Sequence, residues 1–184
     1  MSHRNPDARQ RLLAAARAEF ARHARAGART ERIAQAAAVN KQLIHYYFRT
    51  KQGLYDAVLE EAGQEVASAL ANLPLAGLTA VERLRRLVKA QFDYLAQHPE
   101  LTRLLVQAEG GAWFDQAVGP LAALLTEGQA TGFFRDDIDP LQHARQALLL
   151  HLGYFVLDPL TQTWGDRAVW RDRTADLIVR GSSW

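Results

Sequence analysis

Apolar residues recur every three or four positions along almost the whole chain, and no segment keeps the strict alternation of a β-strand. This spacing places apolar side chains on one face of an α-helix, so the pattern predicts an all-α fold with about nine helices. The first stripe is formed by Leu12, Leu13, Ala16 and Phe20. It follows an Asn-Pro-Asp sequence at residues 5–7, which is typical of a helix start.

Capping and breaking residues divide the rest of the chain into elements. Thr50 is expected to cap a long helix over residues 51–72, and Thr79 with Glu82 has the spacing of a capping box. Further helix starts are expected at His98 with Pro99, at Asp139 with Pro140, and at Asp166. Breaks between helices are expected at residues 23–29, 74–78, 110–111, 131–132 and 158–159.

Residues 30–51 have the spacing of two short helices joined by a tight turn at Ala38 and Val39, with Asn40 capping the second helix. They need the first helix behind them to bury their apolar side chains, which makes a three-helix unit. A helix fits the major groove of B-DNA, where its exposed side chains can contact base edges and phosphates. The predicted DNA-contacting residues are Lys41, Gln42, Leu43, His45, Tyr46 and Tyr47 on the second helix, and Arg29 and Thr30 at the start of the preceding one.

The distribution of charge favours the same hypothesis. The 184-residue chain has a formal net charge of only +2. Residues 1–51 carry eleven lysines and arginines against three acidic residues, whereas residues 52–184 carry eleven against seventeen. A basic module fused to an acidic one is typical of a protein that binds a polyanion, although a solvated basic surface without a partner would give the same count.

Composition and motifs argue against other classes of function. The chain has no cysteine, which excludes disulfides, cysteine-ligated zinc and cysteine nucleophiles. Its six histidines do not have the spacing of a metal site, and no hydrolase, phosphate-loop or dinucleotide-binding motif is present, so no enzyme activity, metal or cofactor is expected. The N-terminal residues do not resemble a signal peptide, and no apolar run approaches the length of a membrane span. A cytoplasmic protein without a membrane partner is expected.

Several blocks of the chain resemble, in order and spacing, the DNA-binding domain of the TetR family of tetracycline-repressor-like regulators. These blocks are residues 11–16 (RLLAAA), 19–20 (EF), 33–34 (IA), 37–41 (AAVNK), 46–48 (YYF) and 51–54 (KQGL). The resemblance implies a homodimer, and it assigns Lys51 to a phosphate contact. It also implies a helix-turn-helix domain over residues 1–51 and a helical regulatory and dimerisation domain over residues 52–184, linked by the helix at 51–72.

Three alanines depart from the family pattern. Ala24 and Ala38 stand where the family usually has glycine, and Ala28 stands where it usually has a capping threonine. An alanine held in the left-handed region costs roughly 1 kcal/mol relative to glycine. One alternative is a shifted loop, in which Gly27 and Thr30 take over these roles.

The C-terminal half is expected to form the dimer interface through helices at residues 141–157 and 168–180. The apolar stripes assigned to that interface are Leu141, Ala144, Leu148, Leu152 and Phe155 on the first helix, and Val169 and Leu177 on the second. The alternative is that these stripes face the core of their own domain.

The family resemblance also implies an internal pocket for a small-molecule effector. Because the sequence has no arginine cluster there, the effector is expected to be neutral or weakly polar. The residues predicted to line it are Phe92, Leu95, Trp113, His151, Tyr154 and Phe155. The alternative is that these aromatic side chains pack solidly and bind nothing.

These expectations describe a sequence-specific regulator that binds double-stranded DNA. Within the family, the expected form is a repressor that a small molecule releases from a palindromic operator. Two alternatives stay open at this point, a transcriptional activator and a helical protein-interaction scaffold without ligand sensing.

Overall fold

The computed structural model describes residues 6–108, 111–157 and 166–183. Over these ranges the chain forms nine α-helices and no β-strand, which confirms the predicted all-α class. The helices are α1 (Pro6–Gly27), α2 (Thr30–Ala36), α3 (Gln42–Phe48), α4 (Lys51–Ala71), α5 (Ala80–Gln97), α6 (Pro99–Val106), α7 (Ala112–Ala130), α8 (Pro140–Val156) and α9 (Arg167–Ser182). The boundary predictions at Asn5, at Gly110 and at residues 158–159 lie outside the described residues.

Side-chain caps fix most of the predicted helix starts. The Thr50 hydroxyl accepts a hydrogen bond from the Gly53 amide at 2.9 Å. Thr79 and Glu82 form the complete capping box at the start of α5. Asp139 and Asp166 accept amide hydrogen bonds at the starts of α8 and α9. Each cap satisfies amides that the first helical turn leaves without an internal partner, so these boundaries could be predicted from single residues.

The predicted loop at residues 23–29 is wrong for most of its length, because α1 continues to Gly27 across a kink. The kink lies at Ala24, whose backbone has φ 50° and ψ 175°. Gly27 does not adopt a positive φ, so the idea of a shifted loop is also wrong for that glycine. Ala24 itself takes the conformation that usually requires glycine, and the Ala28 amide then bonds to the Ala24 carbonyl at 3.1 Å.

The start of α2 is tied to α1 instead of being capped by its own residues. The Glu19 carboxylate of α1 accepts a hydrogen bond from the Arg29 amide at 2.9 Å and another from the Arg32 guanidinium at 2.7 Å. The Thr30 hydroxyl bonds to Glu31, so Thr30 does not take over the capping role proposed for it. Glu19 supplies the acceptor that a capping threonine would otherwise provide.

Helices α1–α3 pack around a small core that includes Leu12, Phe20 and Ile33, each fully buried. The first half of α4 closes this core, with the Tyr55 ring set edge-on against Phe20 at 4.9 Å between centroids. The second half of α4 packs on α7, where the two backbones approach closely at Gly63. A Cβ atom at Gly63 would lie 2.5 Å from the Trp113 carbonyl oxygen, so any side chain there would push the helices apart.

Helices α5–α9 form the C-terminal half, and the core continues into it without a break. A polar cluster also joins the two halves, since Arg17 of α1 pairs with Glu65 of α4. The Tyr94 hydroxyl of α5 donates to the same carboxylate at 2.8 Å. Burial and this hydrogen bond raise the pKa of Tyr94 to about 12. None of the helices in the described part of the chain is long and apolar enough to cross a membrane.

Candidate DNA-binding surface and effector site

The turn between α2 and α3 is built as a helix end in the left-handed conformation. Ala38 has φ 52°, and the Val39 amide donates to the Ala34 carbonyl at 3.0 Å. The Asn40 side chain then accepts from the Gln42 amide at 2.8 Å and starts α3. The turn has the predicted place and the left-handed geometry that glycine favours, with alanine in it.

Helix α3 buries Ile44 and Phe48 and turns its other face to solvent. Leu43 and Tyr47 are half-buried, and 47 % of the surface of Tyr46 is exposed to solvent. Most residues predicted for DNA contact are exposed, namely Gln42, His45 and Tyr46 on α3, Lys41 directly before it, and Arg29 before α2. Thr30 is half-buried. Of the predicted DNA-contacting residues other than Lys51, all except Thr30, Leu43 and Tyr47 therefore face solvent.

The cations around α3 differ in how far the domain itself uses them. Lys41 pairs with Glu31 on α2. The Lys51 ammonium donates to the Ala28 carbonyl at 2.7 Å and to the Ala26 carbonyl at 3.3 Å. Lys51 is half-buried and lies against the junction of α1 and α2, so its hydrogen-bonding capacity is directed at the protein's own backbone.

A groove of about 650 Å³ runs between the first turns of α1 and the exposed side of α3. It is lined by Ala8, Arg11, Ala38, Val39, Gln42, Leu43, His45, Tyr46, Tyr47 and Arg49. Five of these residues were not predicted as DNA-contacting residues, and two of the five, Arg11 and Arg49, are charged. The excess of basic residues in this part of the chain indicated that such a surface exists, but the pattern did not say which arginines form it.

The residues predicted for the effector pocket fall into two separate places. Phe92 lies against His151 at 5.4 Å between ring centroids, Tyr154 at 5.2 Å and Phe155 at 5.3 Å. Leu95 is fully buried on the same helix as Phe92. The four rings therefore pack against one another, whereas Trp113 lines a cleft to which none of the other five predicted residues contributes.

His151 is a buried histidine with one unsatisfied nitrogen. Its Nδ1–H donates to the Gln91 Oε1 atom at 3.0 Å, and the Gln91 amide group donates to the Ala117 carbonyl at 3.5 Å. Its Nε2 atom has no hydrogen-bond partner among the described residues. Burial lowers the pKa of His151 to about 3, so the ring is neutral at physiological pH.

The cleft beside Trp113 has a volume of about 440 Å³ and lies between α6, the start of α7 and the second half of α8. It is lined by Leu105, Val106, Ala108, Trp113, Phe114, Leu149, Leu152, Gly153 and Val156. All of these side chains are apolar apart from the indole nitrogen. Its size falls within the range of small-molecule sites, which are mostly apolar.

The apolar stripe of α8 that was predicted to face a partner faces the protein's own core. Ala144 and Leu148 are fully buried, and Leu152 is nearly so. The other side of the same helix exposes different apolar residues, and α9 exposes the two predicted there. The exposed set is Leu149 (57 %), Val156 (55 %), Val169 (43 %) and Leu177 (60 %). Both helices expose apolar surface, but the predicted α8 stripe is wrong, and the interface itself stays a prediction.

Two sequence profiles match the chain over most of its length. The profile described as bacterial regulatory proteins of the tetR family matches residues 12–58. The profile of the tetracyclin repressor-like C-terminal domain matches residues 81–176. The chain is 34 % identical over 159 residues to the HTH-type transcriptional repressor NicS of Pseudomonas putida, covering 80 % of this chain and 74 % of that protein.

Other relatives agree with this match. The HTH-type transcriptional repressor SCO4008 of Streptomyces coelicolor is 42 % identical over 106 residues, which is 57 % of this chain and 52 % of that protein. The solved structure of the transcriptional regulator SCO4942 of the same organism superposes with a TM-score of 0.69 at 25 % identity, over 94 % of this chain and 96 % of that one. FadR of Bacillus subtilis, solved with stearoyl-CoA, shares the fold with a TM-score of 0.73 at 17 % identity, over 94 % and 98 % of the two chains. The chain belongs to the TetR family of bacterial transcriptional regulators.

Proposed function

We propose that the protein is a homodimeric repressor that binds a palindromic operator through α3 and leaves it when a small molecule occupies the C-terminal half. The observation that carries the proposal is the solvent-facing side of α3, which is rich in hydrogen-bonding groups on a helix whose other side is buried. The relatives NicS and SCO4008 are both named as repressors, which supports repression over activation. Because its partner is DNA, we place the protein in the cytoplasm, and we propose no enzyme activity.

The residues of α3 divide between base reading and backbone contact. Gln42 and His45 lie on the exposed face, and their amide and imidazole groups can form hydrogen bonds with base edges in the major groove. Tyr46 and Tyr47 offer phenol groups to the phosphate backbone, and Arg29 before α2 offers a guanidinium group. Lys41, Thr30 and Leu43 complete the proposed contact set, while Lys51 is assigned to phosphate only by the family resemblance.

The proposed dimer forms through the exposed apolar sides of α8 and α9. Leu149 and Val156 on α8, with Val169 and Leu177 on α9, would leave large apolar side chains in water if the chain stayed alone. Leu149 and Val156 also line the cleft beside Trp113, so the proposed interface adjoins that cleft. Two helices from each protomer can close a four-helix bundle that buries them. A two-fold axis then places the two α3 helices on half-sites about one helical turn, roughly 34–36 Å, apart.

The proposed effector is a neutral, largely apolar molecule that enters the cleft beside Trp113. The lining of the cleft is apolar, and among the described residues no charged side chain lines it. FadR of Bacillus subtilis, which has a similar fold, was solved with stearoyl-CoA, a ligand with a long apolar acyl chain. A molecule in the cleft would contact α6, which also packs on α1, so that occupancy can bias the position of the DNA-binding helices.

Selection from random duplex DNA with the purified full-length chain tests the proposal. We expect an inverted repeat, because two symmetric recognition helices read the same half-site twice. The Gln42→Ala variant should relax preference at one base position in each half-site, while Gln97→Ala, an exposed glutamine at the end of α5, should leave the selected sequence unchanged. If the wild-type chain enriches no inverted repeat, the proposed function is wrong.

A further inference from the structure

Arg49 holds a backbone conformation that normally belongs to glycine. It follows the last residue of α3 with φ 67° and ψ −49°, and its amide donates to the His45 carbonyl at 3.0 Å. The left-handed region is unfavourable for a residue with a Cβ atom, and glycine is the common choice directly after a helix. A glycine would make the same backbone hydrogen bond without this strain. Strain retained at a surface position indicates a function for the side chain.

The Arg49 side chain is also unused within the protein. The neighbouring cations Lys41 and Lys51 bind a carboxylate and backbone carbonyls of their own domain. In the described part of the chain the Arg49 guanidinium has no hydrogen-bond or ion-pair partner, and the residue is exposed. Its side chain lines the groove beside α3.

A second arginine lines the same groove from α1. Within the described residues Arg11 pairs with Asp7, one turn earlier, at 3.5 Å, and both side chains are largely exposed. Such a pair is weak and easily exchanged for another anion. Two arginines therefore line the groove, one on α1 and one directly after α3, beside the face of α3 that carries Gln42 and His45.

We propose that Arg49, together with Arg11, binds a backbone phosphate of DNA where α3 ends, and that the strain at Arg49 is retained for this contact. The inference rests on the proposed function, because it adds phosphate ligands to the same DNA-binding surface. Guanidinium groups bind phosphate through paired hydrogen bonds, and the groove is open enough to admit a phosphodiester. The two arginines fix the position of the duplex on α3 and carry no base preference.

The test separates strain from charge with four variants of the full-length chain. Arg49→Gly removes both the strain and the charge, and Arg49→Gln removes only the charge. Ala24→Gly relieves backbone strain at the kink of α1, a position that does not line the groove. Arg86→Gln removes an exposed arginine of α5, far along the chain from the groove. For each variant, Tm is measured by thermal unfolding, and the Kd for the selected operator and for a random duplex is measured from about 50 to 200 mM salt.

The expected results differ in sign between the two measurements. Arg49→Gly should raise Tm by about 2–4 °C and weaken binding to both duplexes by about tenfold. Its log–log salt slope should fall by about one for each bound protomer. Arg49→Gln should show the same loss of affinity and slope without the rise in Tm. Ala24→Gly and Arg86→Gln should keep the wild-type slope.

A wild-type slope and affinity in both Arg49 variants would overturn the inference while leaving the proposed function intact. A loss of affinity confined to the operator, with an unchanged slope, would also overturn it, because it would make Arg49 a base reader. If the wild-type chain bound neither duplex, the proposed function would fail first, and the inference would fall with it. Arg49→Gln keeps the experiment decisive if Arg49→Gly does not fold.

Discussion

Replacing the buried His151 should remove a large part of the protein's sensitivity to mild acid. His151 is fully buried, and burial alone lowers its pKa from 6.5 to about 3. In the unfolded chain the same ring is solvated and takes up a proton near pH 6.5. Between these two pKa values the unfolded state binds the additional proton, so the free energy of unfolding falls as the pH falls.

The size of this effect at pH 5 follows from the distance to the unfolded pKa. The stabilisation is fully present above about pH 6.5, and each pH unit below that value costs about 1.36 kcal/mol until the folded pKa is reached. At pH 5, which is well above the folded pKa, His151 should therefore lower the free energy of unfolding by about 2 kcal/mol relative to pH 7.5. That is a large fraction of the stability of a typical domain.

The variant for this test is His151→Asn, which keeps an N–H donor on the side facing Gln91 and does not titrate. Urea unfolding at fixed protein concentration is followed at pH 7.5 and pH 5.0. The variant should lose about 2 kcal/mol less than the wild type over this interval, whatever its absolute stability. His23→Gln, which replaces an exposed histidine of α1, is the matched control and should keep the wild-type loss. An equal loss in His151→Asn and wild type would refute the argument.

Three further predictions concern the turn at Ala38, the exposed apolar residues of α8 and α9, and the hydrogen bond from Lys51 to the Ala28 carbonyl. Ala38→Gly should raise the free energy of unfolding by about 0.5–1 kcal/mol by relieving the positive φ, whereas Ala14→Gly in the regular part of α1 should lower it by about 1 kcal/mol; urea unfolding gives both values. Leu149→Glu combined with Leu177→Glu should convert the proposed dimer to monomer in sedimentation at micromolar concentration, and a monomeric wild type would contradict the interface. Lys51→Ala should lower Tm and keep the wild-type salt slope of DNA binding, because its ammonium bonds to the Ala28 carbonyl; a slope reduced by about one would instead identify a phosphate ligand.

The helix starts that depend on local capping could be predicted from the sequence, whereas a start that depends on a contact between helices could not. Thr50, Thr79 and Asp139 cap helices through amides two or three residues away, so the sequence contains both partners of each interaction. The α1–α2 junction instead depends on Glu19, whose carboxylate reaches the Arg29 amide across the fold. No local pattern distinguishes that acceptor from an ordinary surface acid, so the way in which α2 begins could not be predicted from the sequence.

The same limit applied to the sites. Periodicity identified the exposed face of α3, since Ile44 and Phe48 mark its buried side. Helix α8 is apolar on two sides, and periodicity cannot say which side meets the core; the larger stripe was assigned to a partner, but it is buried in the chain itself. The direction of a long flexible side chain is equally hidden, so Lys51 could not be placed on the Ala28 carbonyl from the sequence.

The close approach at Gly63 has a mechanical consequence for α4. A helix held against another at a glycine, where the backbones touch, resists sliding because any neighbouring position would bring a side chain into the contact. We expect α4 to move mainly by turning about this point. The arm from Gly63 to the start of the helix at Lys51 is about 18 Å long at 1.5 Å per residue. A rotation of α4 by about 10° then shifts the attached α3 by about 3 Å. In a dimer, the distance between the two α3 helices would change by up to twice that. In the proposed dimer, the distance between the two α3 helices would therefore respond to rotations that barely disturb the packing at Gly63.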